Sequence, residues 1–145
     1  MKATLLSGEA ALRAFAVVLD DGDEAFAALT RLAEDHGVSA GGFTAIGAFS
    51  QATLGWFDFS RKAYDEIAVD GQCEVLSLIG DIAEGDGGHA SVHAHAVVGL
   101  KDGTTRGGHF LRGIVHPTLE IVLTESPARL HRRKVPELGI ALIRG

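Results

Sequence analysis

The strongest constraint on the fold comes from residues 89–111, where apolar and polar side chains alternate. The even-numbered residues from 90 to 100 are all apolar, whereas the odd-numbered positions include His93 and His95. Successive side chains of a β-strand point to opposite faces, so this alternation predicts a half-buried strand with its apolar face on the core. The imidazoles are then predicted to lie on the opposite face.

A β-hairpin is predicted to follow this strand. Residues 101–103, Lys-Asp-Gly, have the composition of a three-residue hairpin loop that ends with glycine in the left-handed conformation. Such a loop places His95 opposite His109 and His93 opposite Leu111. A two-residue turn would shift the register by one residue and move His109 to the other face. The predicted grouping of the three histidines therefore depends on the register of this hairpin.

His93, His95 and His109 on one face form a candidate metal site. Neutral imidazole is a common ligand of transition metals, and three histidines leave a fourth tetrahedral position open to water or a substrate oxygen. Gly107 and Gly108 would let the backbone come close to a ligand at that position. Histidines in strands also occur as half-buried polar residues without a ligand, and the spacing alone leaves both interpretations open.

Two carboxylates are candidate catalytic residues. Asp81 follows a glycine near the end of an apolar strand, and Glu120 lies within another apolar strand. Either side chain could orient a ligand histidine or accept a proton from a bound water. Glu120 could equally point to solvent on an alternating strand.

Several known site types do not fit. Cupins also place His-x-His on a sheet, but they continue with a glutamate where residues 96–99 here are Ala-Val-Val-Gly. The sequence contains no phosphate-binding P-loop, no hydrolase nucleophile elbow and no dinucleotide-binding fingerprint. A histidine-based metal site remains the chemistry that the sequence indicates.

Length and composition predict one domain over residues 1–145, with 46% hydrophobic residues. The formal net charge of −6 argues against direct binding of nucleic acid, and the basic run at 131–134 is interpreted as a solvated turn.

Cys73 is the single cysteine, which indicates a reducing compartment and a cytoplasmic protein. No segment approaches the ~20 apolar residues of a membrane span, so no membrane association is expected.

Hydrophobic periodicity predicts one main helix and seven or eight strands in a mostly antiparallel α+β domain, with the helix packed on the sheet. The helix is predicted to run from a cap at Asp21 or Asp23 to about His36. Strands are predicted at 13–19, 38–49, 51–59, 61–69 (an edge strand), 74–82, 89–99, 105–115 and 118–124, with a break at Pro117 and a last strand or packed extension at 138–143. The aromatic residues between 43 and 59 are predicted to form core or subunit contacts, because few basic residues accompany them as nucleic-acid stacking would need.

In order and spacing, several motifs resemble the plants and prokaryotes conserved (PPC) domain over nearly the whole chain. They are GQCEVLSLIGD at 71–81, VHAH at 92–95, DG at 102–103, GGH at 107–109 and TLE at 118–120. The resemblance implies a compact α/β domain with an antiparallel sheet that assembles as a homotrimer. The resemblance implies that bacterial and archaeal members can carry a metal, for which zinc is the first expectation and another transition metal the alternative. His93, His95 and His109 match the positions that hold it.

The resemblance also implies a DNA-associated or regulatory role that involves a protein partner. In plant relatives the domain follows AT-hook motifs that bind the minor groove, but this sequence has no Arg-Gly-Arg-Pro core. Because this AT-hook core is absent, direct nucleic-acid binding by this chain is not expected. Gln72 and Cys73 stand where the plant partner-binding hexapeptide has Arg and Phe, a departure that argues against that particular recruitment function. The alternative function is a metal-dependent hydrolase or lyase that acts on a small molecule, and the sequence leaves open whether the chain is an enzyme.

Overall fold

Nine strands and one helix make up the described residues, 1–9 and 12–144, of the computed structural model. The elements in chain order are β1 (Lys2–Glu9), β2 (Leu12–Leu19), α1 (Ala25–Asp35), β3 (Ala40–Asp58), β4 (Ala63–Val69), β5 (Cys73–Glu84), β6 (Ala90–Gly99), β7 (Thr105–Glu125), β8 (His131–Val135) and β9 (Ile140–Arg144). Ala10, Ala11 and Gly145, which the single-domain prediction includes, lie outside the described residues.

The centre of the sheet is a closed circuit of four strands. β3 pairs with β5, β5 with β6, β6 with β7, and β7 again with β3, all antiparallel. β2 and β1 extend the sheet from β7, and β4 pairs with β3 alone among the described residues, so the predicted edge strand is confirmed. β8 joins β5 in parallel at the pair Glu84–His131, which makes the sheet mixed, although most pairings are antiparallel as predicted.

The core lies on the inner face of this circuit. The predicted apolar positions of β6 are buried at residues 92, 94, 96 and 98, and the stacked rings of Phe49 and Phe110 lie 5.6 Å apart. The helix α1 covers β6 and β7 with one apolar face. Its buried residues are Ala25, Ala28, Leu29, Leu32 and Ala33. The alternation in β6 therefore separates the core from the histidine face, as predicted.

β3 and β7 are longer than predicted. Each is continuous where the sequence suggested two strands, and Pro117, joined to His116 by a cis peptide bond, lies inside β7. The two strands pair with each other along most of their length, and their register shifts between Gly47–Leu119 and Phe49–Val115. This register shift is a β-bulge, and Pro117 lies within it. A residue in a bulge does not have to donate a backbone N–H to the ladder, so proline is tolerated there. The predicted break at Pro117 is therefore wrong.

The helix ends as predicted, but its N-cap lies one residue beyond Asp23 and three beyond Asp21, the two predicted caps. Glu24 is the N-cap, and its carboxylate accepts hydrogen bonds from the N–H groups of Phe26 (3.1 Å) and Ala27 (2.8 Å). The same carboxylate accepts a hydrogen bond from the N–H of Gly113 on β7 at 3.3 Å. An aspartate side chain is shorter and is less able to cap the helix and reach Gly113 at the same time.

Among the described residues, no helix has the length and apolar character needed to cross a membrane.

Two segments outside the predicted strands belong to the sheet. β1 pairs with β2, and the basic run at 131–134, interpreted from the sequence as a solvated turn, forms most of β8. Arg132 is only 5% exposed, while Arg133 donates to Asp86 at 3.4 Å. The turn interpretation is wrong because one arginine of the run is directed into the protein and has partners there.

We predict that Gly80→Ala destabilises the fold. A Cβ at Gly80 would lie 2.3 Å from the ring of Phe43 and 2.5 Å from the carbonyl oxygen of His93. Overpacking of this kind typically lowers the free energy of unfolding by about 1–3 kcal/mol. Urea denaturation of the variant and the wild type would measure this loss. Gly42→Ala is the matched control, because its Cβ would meet nothing closer than 3.8 Å. Equal losses in the two variants would contradict the prediction.

Candidate metal centre

The register of the β6–β7 hairpin is the predicted one. His95 pairs with His109, and the ladder continues to Gly99–Thr105 before the three-residue loop. Gly103 adopts a φ of 82°, the left-handed conformation expected at the end of such a loop. The ladder stops at His95–His109, so the expected pairing of His93 with Leu111 is not formed. On the opposite edge of β6, His93 is paired with Asp81 of β5.

The three predicted histidines come together on one face. The ring centroids lie 5.1 Å apart for His93–His95, 5.1 Å for His93–His109 and 5.3 Å for His95–His109. One ring nitrogen from each residue lies within 4.8 Å of the other two. This spacing suits ligands that converge on a single ion.

His109 provides a test of whether a metal fits. Its Nδ1 atom is buried and has no hydrogen-bond partner among the described residues. A buried polar atom without a partner costs free energy, and a metal ion would satisfy one nitrogen of this ring. The donor set, three imidazoles, is also one that zinc accepts. The residues present therefore fit a transition-metal ion.

The protonation states of His95 and His109 agree with this assignment. Burial is the main cause that lowers the pKa of His109 to about 4, and nearby positive charges, Arg132 among them, act in the same direction. Burial and then the charge of His93 also lower the pKa of His95. At neutral pH these two rings are neutral, and neutral imidazole is the form that binds a metal.

Asp81 contacts the trio through His93. Its Oδ2 lies 3.5 Å from His93 Nδ1, and its Oδ1 accepts a hydrogen bond from Arg132. Arg132 also donates to the carbonyl (2.8 Å) and the hydroxyl (3.1 Å) of Ser91. Burial acts to raise the pKa of Asp81, but the contact with His93 and the charge of Arg132 outweigh it and hold this pKa below its usual value. Asp81 is thus placed to orient a histidine ring.

Of the remaining candidates, two glycines reach the site and one glutamate does not. Gly107 and Gly108 line the same pocket as the trio. A Cβ at Gly108 would lie 2.7 Å from the carbonyl oxygen of Gly55, so this glycine also allows β7 to approach β3. Glu120 is exposed and lines a separate depression on the outer face of the sheet, which contains none of the three histidines.

The histidines open into a pocket of about 720 Å³. Sequence reasoning missed two of its important residues, Arg132 and Tyr64. Arg132 gave no local signal because it stands in a basic run, and Tyr64 matched the alternation of an ordinary edge strand. The ring of Tyr64 stacks on His109 with centroids 4.7 Å apart. Aromatic residues of β3 also line the pocket, rather than contributing to the core alone.

A closed four-strand circuit that carries three histidines beside one pocket defines a small, β-rich domain with a candidate metal centre. The family model of the Plants and Prokaryotes Conserved (PCC) domain, the PPC domain of the sequence resemblance, matches residues 6–127. The chain belongs to this family. A comparison with curated protein sequences found no match.

Solved structures of prokaryotic proteins have the same fold over almost the full length of the chain. A PPC protein from Pyrococcus horikoshii is 28% identical with a TM-score of 0.87, and the alignment covers 97% of this chain and 98% of that one. A "putative DNA binding protein" from Bacteroides thetaiotaomicron is 25% identical with a TM-score of 0.85 (98% and 96% covered). A metal-containing protein from Archaeoglobus fulgidus is 27% identical with a TM-score of 0.83 (100% and 99% covered).

Proposed function

We propose that this chain is a homotrimeric PPC-domain protein that binds one transition-metal ion, preferentially zinc, through His93, His95 and His109. The observation that carries the proposal is the convergence of the three ring nitrogens within 4.8 Å of one another. The buried, unpartnered Nδ1 of His109 supports it, as does the similarity to a metal-containing archaeal protein. Zinc held by three histidines supplies a Lewis acid with one open position.

The proposed trimer has a candidate contact surface, which we call the outer apolar face. Val122 and Thr44 stand next to each other on paired strands, and Thr44 is in turn opposite Ile79. The large apolar residues of this face are 38–61% exposed and are Val18, Ile46, Leu76, Ile79 and Val122. A contiguous exposed apolar patch is typical of protein–protein interfaces. Other copies of this chain are the proposed occupants because the family resemblance implies a homotrimer.

The regulatory part of the proposal follows the family and the relative named as a "putative DNA binding protein". The charge of this chain favours an indirect role, in which a protein partner contacts the DNA. The net charge is −6, and the basic run of β8 is partly neutralised because Arg132 binds Asp81 and Arg133 contacts Asp86. A cytoplasmic location remains a prediction that rests on the lone Cys73.

A metal-dependent hydrolase or lyase is the second candidate function, favoured by the pocket that the trio shares. Pockets of about 300–1,000 Å³ are typical of small-molecule sites. Of the two candidate carboxylates, Asp81 is the one that contacts a histidine of the trio, and it would act by fixing the orientation of His93. Glu120 would have to act from a different depression, so this alternative depends on Asp81.

Metal content tests the proposed site. Protein purified from zinc-replete medium without a metal-affinity column should contain close to one zinc per chain by mass spectrometry of the metal. His95→Ala should lose it, because it removes one of three ligands. His89→Ala is the control, since His89 precedes the same strand but its side chain is 83% exposed and is not among the grouped ligands. Folded wild-type protein without metal would refute the site.

Molar mass in solution tests the assembly. Light scattering should give three times the chain mass of 15.2 kDa for the wild type. Ile46→Glu should reduce this mass to that of a monomer, because it puts a second carboxylate opposite Glu120 on the outer apolar face. Ile143→Glu, at a 41% exposed position on β9, should leave the mass unchanged. A trimer that tolerates Ile46→Glu would show that this face is not the interface.

DNA binding by the isolated chain is expected to be absent. We predict no change in the fluorescence anisotropy of a labelled duplex at low ionic strength, where non-specific binding through phosphates is strongest. Repeating the titration at high salt provides the control. Binding at micromolar protein that disappears with salt would contradict the indirect role.

A further inference from the structure

The pocket that contains the histidines has largely apolar walls. One wall comes from β3, the turn after it and β4, and the other comes from β9. The wall residues are Trp56, Phe57, Phe59, Tyr64, Ile140, Ala141 and Leu142. Trp56 and Phe59 are 69% and 65% exposed. Large aromatic side chains at the mouth of a pocket provide surface for a ligand to cover.

The aromatic wall leads directly to the histidines. Phe57 contacts Phe59 and Tyr64 edge to face, with centroids 5.1 and 4.9 Å apart, and Tyr64 stacks on His109. Gly55 makes this possible, because a Cβ there would lie 2.7 Å from the Tyr64 ring. A ligand that reaches the trio would therefore lie beside a row of rings, and such rings bind aromatic ligands by stacking and edge contacts.

The charge at the trio selects the head group of the ligand. Three coordinating imidazoles are neutral, so they do not offset the charge of a divalent ion. Asp81, the carboxylate that contacts His93, is paired with Arg132. With a divalent ion bound, the site would therefore keep an uncompensated positive charge in a partly buried place, where an anionic oxygen is the favoured ligand.

We propose that the pocket binds a small aromatic carboxylate. Its carboxylate would take the position that the three histidines leave open, and its ring would lie against Tyr64, Phe57 and Phe59. This inference rests on the proposed metal site. The pocket volume of about 720 Å³ has room for a single aromatic ring or for two fused aromatic rings.

The test uses 2-naphthoate as the probe, titrated calorimetrically into the full chain loaded with zinc, with zinc measured on the same sample. Cyclohexanecarboxylate keeps the charge without the aromatic ring, and 2-naphthalenemethanol keeps the ring without the charge. We expect 2-naphthoate to bind at least ten-fold more tightly than either compound, because each of them lacks one of the two recognised features. Trp56, the single tryptophan of the chain, lines the pocket, so its fluorescence should change on binding.

Variants separate the ring wall from the metal. Phe59→Ala should weaken 2-naphthoate binding at least five-fold and keep zinc, since Phe59 is exposed and is not a ligand. His95→Ala should lose both zinc and 2-naphthoate. Ile143→Ala removes an exposed apolar side chain of β9 that does not line the pocket, and it should change neither.

The outcomes distinguish this inference from the proposed function. Zinc-loaded protein that fails to bind 2-naphthoate, or binds all three compounds equally, overturns the ligand class and leaves the metal site intact. Protein without zinc refutes the metal site itself. Unchanged 2-naphthoate binding to metal-free protein overturns the proposed role of the carboxylate. Loss of self-association in Phe59→Ala, without naphthoate binding by the wild type, would assign the aromatic wall to a subunit contact instead.

Discussion

The pairing of β6 with β7 is the constraint on which the candidate site depends. A shift of one residue would exchange the two faces of β7, so that His109 would replace Phe110 in the core. Phe110 is fully buried and stacks on Phe49, and burying such a side chain contributes roughly 1.5–3 kcal/mol. The hydrophobic core therefore holds the register, and the register places His109 opposite His95. The grouping of the histidines on their face of the sheet therefore follows from the packing of the core on the other face.

The parts of the molecule that were predicted correctly have local signals. The alternation around His93 and His95 and the loop ending in Gly103 specify a hairpin within about twenty residues of sequence, so the histidine trio could be read from the chain. The incorrect or missing predictions involve contacts between distant segments. Pro117 is typical of a strand end, yet β7 continues through it because β7 pairs with β3 on both sides of this residue. The position of Arg132 depends on its hydrogen bond to Asp81 of β5, which is distant in sequence. No short window of sequence contains that information.

Asp81 connects the orientation of a histidine with the position of a strand. One carboxylate oxygen faces His93 and the other accepts from Arg132, which also binds Ser91. Buried ion pairs contribute little net stability, but the loss of one partner leaves a buried charge unpaired. The pair therefore defines geometry more than it adds stability. It also brings β8, and with it the β9 side of the pocket, to the histidine face.

The hairpin of β8 and β9 is attached to the rest of the sheet much less extensively than the other strands. Within the described chain, its ladder to β5 is the single pair Glu84–His131, reinforced by the contacts of Arg132 and Arg133. Segments with few tertiary hydrogen bonds open locally at lower free energy than the whole domain unfolds. A molecule that bridges β9 and the aromatic residues would reduce the conformational entropy of this hairpin, so occupancy of the pocket and order of the hairpin would be thermodynamically linked.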